Sequence, residues 1–89
     1  MEYSEAPRVS SIEQDRYNKI LHETVQSVRA AENIIVVKTL SGCANAAAEV
    51  IDKMDRDEIL GTIAGDNTVF LVVDKLEHVD GIVNVGKHN

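Results

Sequence analysis

One segment near the middle of the chain spaces its apolar side chains with the period of an α-helix. They stand at i, i+3, i+4, i+7, i+8 and i+11, and they are Cys43, Ala46, Ala47, Val50, Ile51 and Met54. This spacing predicts an amphipathic helix over residues 43–54, with Ala44 and Ala48 away from its apolar side. Because such a helix must bury its apolar side against a second layer, the flanking segments decide the fold.

Two strand-like segments lie on each side of this helix. Residues 25–29 and the β-branched run at 34–37 precede it, with a turn between them at 31–33. A wholly β-branched run is typical of a strand that is buried on both faces. Residues 59–64 and 68–73 follow the helix, and the three residues between them suit a hairpin loop.

The two ends of the chain predict two further helices. Ser11 with Gln14 three residues on is a capping-box pattern, and it begins a helix of about three turns. Near the other end Leu76, Val79 and Val83 have helical spacing, although glycines weaken that helix. The order helix, strand, strand, helix, strand, strand, helix predicts an α+β two-layer sandwich. Its four-stranded, mainly antiparallel sheet would pack on the helices.

Length and composition limit the size of the core. The chain has 89 residues, of which 44% are hydrophobic and only 3% aromatic, so one small core of Val, Ile, Leu and Ala is expected. Domains this small often gain stability by oligomerising. Residues 1–10 are polar, contain the single proline and suit a linker, which leaves residues 11–89 as the domain.

The charge balance narrows the range of partners. Nine basic and 15 acidic side chains give a net charge of −6, which disfavours binding of this chain alone to DNA or to anionic lipid. Cys43 is the single cysteine and cannot form an internal disulfide. The sequence has neither a signal peptide nor a long apolar span, so we expect a cytoplasmic protein without membrane contact.

Motifs of catalysis and metal binding are missing from the sequence. It contains no phosphate-binding loop, no Gly-x-Ser-x-Gly and no His-Glu-x-x-His. Its three histidines are scattered, so we expect neither a metal site nor a bound cofactor. An enzyme remains an alternative only as an acid–base pair of Asp52 and Asp66, without further catalytic groups.

Two polar features are candidate binding sites. The polar face of the central helix carries Asn45, Glu49 and Asp52. This face is either only solvated, or it is a polar wall that contacts an ammonium group or another subunit. In the hairpin loop, Asp66 suits a tight turn, but its carboxylate is also a good receptor for a guanidinium.

The block NIIVVKTLSGCANAAAEVIDKMDRDEILGTIAGDNTVFLVV resembles the carboxy-terminal domain of bacterial arginine repressors. The resemblance covers about residues 12–75 and has two specific anchors. One is the strand-to-helix stretch VKTLSGCANAAAEVID, and the other is GTIAGDNT, which is close to the family pattern Gly-Thr-Ile-x-Gly-Asp-Asp-Thr.

The resemblance implies a sensor of L-arginine in a transcriptional regulator of arginine metabolism. Such domains form trimers, stack two trimers into a hexamer and bind the co-repressor L-arginine between them. DNA binding would belong to an amino-terminal winged-helix domain that this sequence lacks, and residues 1–10 would be its linker. The alternative is a purely structural oligomerisation module that no longer senses arginine.

The resemblance also assigns roles to five residues. Asp66 would receive the guanidinium, Asp52 would approach the ligand's ammonium, and Asn45 would lie near the amino-acid end. Ala44 and Thr62 would line the pocket.

Asn67 is a sixth candidate ligand-binding residue, and it departs from the family pattern, which has a second loop acid there. An amide oxygen still accepts a hydrogen bond, but the amide NH2 cannot accept one from a cation. We therefore expect arginine binding to be weaker by on the order of 1–2 kcal/mol than with Asp at this position. Bound arginine would offset repulsion between the acidic chains, which predicts that ligand binding and hexamer stability are coupled.

Overall fold

The helices and strands follow one another in the predicted order. The computed structural model describes residues 11–54 and 56–87, so the linker predicted at residues 1–10 lies outside the described residues. The elements are α1 (Ser11–Thr24), β1 (Val25–Ala31), β2 (Ile34–Thr39), α2 (Ala44–Lys53), β3 (Ile59–Ala64), β4 (Thr68–Val73), a short 3₁₀ turn (Leu76–His78) and α3 (Val79–Lys87).

The four strands form one antiparallel sheet in the order β1-β2-β4-β3. Its inner face carries the core, where Ile35, Val69 and Val73 are fully buried. Helix α2 packs on α1 and on strands β3 and β4, and α3 packs on β1. The predicted α+β two-layer sandwich is therefore confirmed.

Strand β2 departs from its predicted burial on both faces. Its side chains alternate, so that Ile35 and Val37 are buried while Ile34 and Lys38 are exposed. The prediction is wrong for the single chain because the helices cover only the inner face of the sheet. Apolar side chains continue across the opposite face, here called the outer sheet face, and they are Ile34, Val36, Ile63, Phe70 and Val72.

Helix α2 forms where its pattern predicts, but it turns a different side toward the sheet. Ala44 and Ala48, expected away from the core, are buried with exposures of 0% and 8%, whereas Ala46 is exposed. The buried stripe is Ala44, Ala47, Ala48 and Val50. Small side chains along that stripe let the helix lie close to the sheet, which favours this orientation.

The terminal helices are more regular than predicted. Helix α1 has 14 residues, and the amide of Gln14 donates to Asn18 Oδ1 at 3.2 Å. Helix α3 forms despite its glycines because Val79 and Ile82 bury against the core, with exposures of 4% and 7%. Leu76, expected on the same stripe, is exposed instead.

A histidine–carboxylate pair precedes α3. His78 Nδ1 lies 2.8 Å from Asp74 Oδ1, one helical turn apart in sequence. This hydrogen bond lowers the pKa of the Asp74 carboxyl below its ordinary value.

The two-residue turn between β1 and β2 offers a test of backbone strain. Glu32 adopts a left-handed φ of 57°, which disfavours any residue with a Cβ. We expect Glu32→Gly to raise the free energy of unfolding by about 0.5–1 kcal/mol, measured by urea denaturation. Glu32→Ala removes the same side chain but keeps the Cβ, so equal stability of the two variants would contradict this explanation.

Candidate functional site

The hairpin loop at residues 65–67 is fixed against the start of α2. The Gly65 N–H donates to the Thr68 carbonyl at 2.8 Å, which closes the turn. The Thr39 N–H donates to the Asn67 carbonyl at 2.8 Å, and the Ala44 N–H donates to the Asp66 carbonyl at 3.1 Å. Main-chain bonds therefore hold the loop against both the end of β2 and the first turn of α2.

The Asp66 carboxylate also contacts the loop that joins β2 to α2. Its Oδ2 accepts hydrogen bonds from the Ser41 hydroxyl and the Gly42 N–H, each at 3.3 Å. Gly42 has a φ of 79°, a left-handed conformation that favours glycine. Both bonds are long, and a carboxylate has about four acceptor positions. Asp66, which is exposed, therefore keeps capacity to bind a cation.

The Asn67 side chain belongs to a separate chain of hydrogen bonds. The Thr68 hydroxyl donates to Asn67 Oδ1 at 3.0 Å, and Lys38 Nζ donates to the same Thr68 hydroxyl oxygen at 3.1 Å. The Asn67 oxygen, which the sequence offers as an acceptor for a cation, thus already has one of its two acceptor positions used within the chain.

A second cluster lies at the other end of α2. The Thr62 hydroxyl donates to Asp52 Oδ1 at 3.0 Å. Thr62 reaches the helix because it is paired with the buried Leu71 and shares the inner side of the sheet. Beside this pair is an open depression of about 250 Å³, lined by Ile51, Asp52, Arg56, Ile59, Leu60 and Gly61.

Helix α2 separates the two clusters. Asp66 is bonded to the first residue of the helix, Ala44, and Asp52 stands eight residues further on, or about 12 Å along the axis. Paired catalytic carboxyls of glycosidases lie about 5–9.5 Å apart, so this arrangement does not favour an acid–base pair. A ligand that contacts both clusters of one chain must be long and carry a polar group at each end. Otherwise the ligand lies between two copies of the chain, and each copy supplies one cluster.

The remaining candidates divide between the surface and the core. Asn45 is exposed at the start of α2, and Glu49 is exposed on the same helix, 3.7 Å from Lys53. The Ala44 side chain is fully buried, and its main-chain N–H donates to the Asp66 carbonyl of the loop.

The sequence did not predict the three residues that contact the loop side chains, which are Ser41, Gly42 and Thr68, nor Lys38, which contacts Thr68. Lys38 and Thr68 are paired across β2 and β4. The register between β2 and β4 would have predicted the contact between Lys38 and Thr68.

Over the described parts of the chain, no helix is long and apolar enough to cross a membrane. Within the same residues, no three side chains of His, Cys, Asp or Glu are grouped as metal ligands would be.

Fold and site together define a small α+β domain that presents an exposed acid on a hairpin loop beside a helix. The model of the arginine repressor C-terminal domain matches residues 21–85, and the chain belongs to this family. The resemblance drawn from the sequence is therefore confirmed.

Individual relatives agree with the family match. An arginine repressor of Heliobacterium modesticaldum is 44% identical over 71 residues, which cover 80% of this chain and 47% of that protein. An arginine repressor of Thermoanaerobacter sp. is 56% identical over 59 residues, which cover 66% of this chain and 39% of that protein. An arginine repressor of Alkaliphilus oremlandii is 41% identical over 81 residues, which cover 91% of this chain and 54% of that protein. The chain thus spans about half the length of the curated relatives it matches.

Proposed function

We propose that this chain is the L-arginine-sensing oligomerisation domain of a transcriptional regulator of arginine metabolism, acting in the cytoplasm. Family membership and the exposed Asp66 carboxylate on its anchored loop support this function. The domain is not an enzyme. DNA binding belongs to another part of the parent protein, and L-arginine is the co-repressor ligand, without a metal or a further cofactor.

The two clusters divide the recognition of arginine between them. Asp66 receives the guanidinium through paired, charge-assisted hydrogen bonds. Asp52, held by the Thr62 hydroxyl at 3.0 Å, receives the α-ammonium, and Asn45 contacts the amino-acid end. Each acid already makes side-chain hydrogen bonds within the fold, which reduces the side-chain freedom that is lost on binding.

The outer sheet face supports assembly into trimers and hexamers. Ile63 and Phe70, which are paired across β3 and β4, have exposures of 76% and 49%. Contiguous exposed apolar side chains of this kind mark interaction surfaces. We infer that other copies of the chain cover this face. The β-branched composition of β2 then has its explanation, because assembly would bury the second side of the strand.

Calorimetric titration tests the proposed function. We expect saturable binding of L-arginine to this chain, and no binding of L-alanine, which has the same α-amino and α-carboxyl groups but no guanidinium. If L-arginine at millimolar concentration gave no saturable heat, arginine sensing would be contradicted.

A purely structural module is the second candidate, and the bond from Thr68 to Asn67 Oδ1 favours it because one loop acceptor is occupied. That candidate predicts the same oligomers with no arginine binding at all. Sedimentation together with the titration therefore separates the two functions.

A further inference from the structure

We propose that Lys38 and Thr68 set the ligand preference of the hairpin loop by fixing the orientation of the Asn67 amide. In that orientation the amide NH2, not its oxygen, faces the ligand. The loop then suits an amino acid whose side chain ends in a ureido group about as well as one that ends in a guanidinium. This inference rests on the proposed function, because it concerns the same amino-acid site.

The contacts that fix Asn67 run across two strands. Lys38 and Thr68 are paired in the register of β2 and β4, which places both side chains on the outer side of the sheet. Lys38 Nζ lies 3.1 Å from Thr68 Oγ1, and Thr68 Oγ1 lies 3.0 Å from Asn67 Oδ1. The Thr39 N–H holds the Asn67 main chain from the other strand at 2.8 Å.

The chemistry of the three groups determines which atom donates and which accepts in each of these hydrogen bonds. An ammonium group only donates, so the Thr68 oxygen is the acceptor in its bond with Lys38. The single hydroxyl proton of Thr68 is then directed to Asn67 Oδ1. The amide oxygen is turned toward Thr68, which uses one of its two acceptor positions, and the NH2 group on the opposite side of the amide is the part of Asn67 that remains for a ligand.

The charge of Lys38 opposes the reverse orientation. If the Asn67 amide were flipped, its NH2 would face the Thr68 hydroxyl oxygen, which already accepts a hydrogen bond from the Lys38 ammonium. The partial positive charge of the NH2 would then lie close to the positive charge of the ammonium. The amide dipole is more favourable with its oxygen toward the cation. Lys38 and Thr68 are therefore positioning residues, which act on the ligand through Asn67.

The resulting loop offers one acceptor and one donor. Asp66 accepts hydrogen bonds from a ligand, and the Asn67 NH2 donates one. A guanidinium carries only donors, so it pairs with Asp66 but opposes the NH2. A ureido group carries a carbonyl oxygen as well as N–H groups, so it satisfies both residues. L-citrulline has such a group, and we expect its dissociation constant to be no more than about tenfold above that of L-arginine, a difference of about 1.4 kcal/mol.

Titrations of both amino acids measure this preference as the ratio of their dissociation constants. Asn67→Asp supplies a second acceptor and is expected to shift the ratio toward arginine by about tenfold or more. Lys38→Met and Thr68→Val release the amide and are each expected to shift it toward arginine by several-fold. Thr68→Ser keeps the hydroxyl and should retain the original ratio, as should the control Lys19→Met, which removes a charge from the exposed side of α1.

The outcomes separate this inference from the proposed function. An original chain that binds arginine but prefers it to citrulline by more than about tenfold overturns the inference and leaves arginine sensing intact. Binding of citrulline without arginine supports the inference and contradicts the proposed function, and binding of neither overturns both. If Lys38→Met shifts the ratio but Thr68→Val does not, Lys38 acts by its charge alone and the orientation of Asn67 is not the cause.

Discussion

Replacing Asp66 by Asn is expected to weaken L-arginine binding by about one to two orders of magnitude while the loop keeps its position. A hydrogen bond to a charged group is worth about 1.5–3 kcal/mol, and each 1.4 kcal/mol is a tenfold change in affinity. The Asn oxygen can still accept from the Ser41 hydroxyl and the Gly42 N–H, which now contact the carboxylate at 3.3 Å. The variant therefore removes the charge without removing the acceptor.

Calorimetry on Asp66→Asn, Asp66→Ala and Glu23→Gln provides the measurement and its controls. Glu23→Gln makes the same change in net charge on an exposed side chain of α1 and should leave arginine affinity unchanged. Asp66→Ala also loses the bonds to Ser41 and Gly42, so it is expected to bind less well and to unfold at lower temperature. Equal affinities for the original chain and Asp66→Asn would remove Asp66 from the site.

The hairpin around this residue was the most predictable part of the fold. Strands β3 and β4 have the bounds that the sequence predicts, because two apolar runs are interrupted only by three residues that favour turns. Helix α2 was predictable as an element, but its orientation was not. Alanines occupy both sides of its first turns, so the apolar pattern alone does not identify the side that packs on the sheet.

The internal contacts of the site depend on residues far apart in sequence. Asp66 meets Ser41 and Gly42 across 25 and 24 positions, and Lys38 meets Thr68 across 30. Family resemblance locates Asp66 and Asn67 as candidates, but it does not reveal that each is already hydrogen-bonded within its own chain. That information comes from the register of β2 against β4 and from the docking of the loop on α2.

Introducing a charge on the outer sheet face is expected to abolish assembly. Phe70 is 49% exposed and lies between Val36 and Ile63 on the neighbouring strands, at the middle of the apolar surface. In Phe70→Glu, an interface with another copy would bury a carboxylate without a partner, which costs several kcal/mol. The chain already carries a net charge of −6, so the added negative charge also increases repulsion between copies.

Sedimentation velocity at constant salt, with and without saturating L-arginine, measures the effect. We expect arginine to shift the original chain toward hexamers, because a ligand that binds the assembled state more tightly stabilises it. Phe70→Glu should sediment as a monomer under both conditions, whereas the control Ile12→Glu, on an exposed position of α1, should assemble normally. Assembly of Phe70→Glu like that of the original chain would mean that copies meet through another surface.

The same variant tests whether one chain holds a complete arginine site. Asp66 and Asp52 stand at opposite ends of α2, about 12 Å apart along its axis, so neighbouring copies can supply the two halves to one ligand. In that arrangement a monomeric Phe70→Glu chain loses most of its arginine affinity, although Phe70 contacts neither acid in the proposed site. If the monomer instead binds arginine as tightly as the assembled protein, one chain suffices for binding. Arginine then has no energetic reason to stabilise the hexamer, and the coupling of ligand to assembly is wrong.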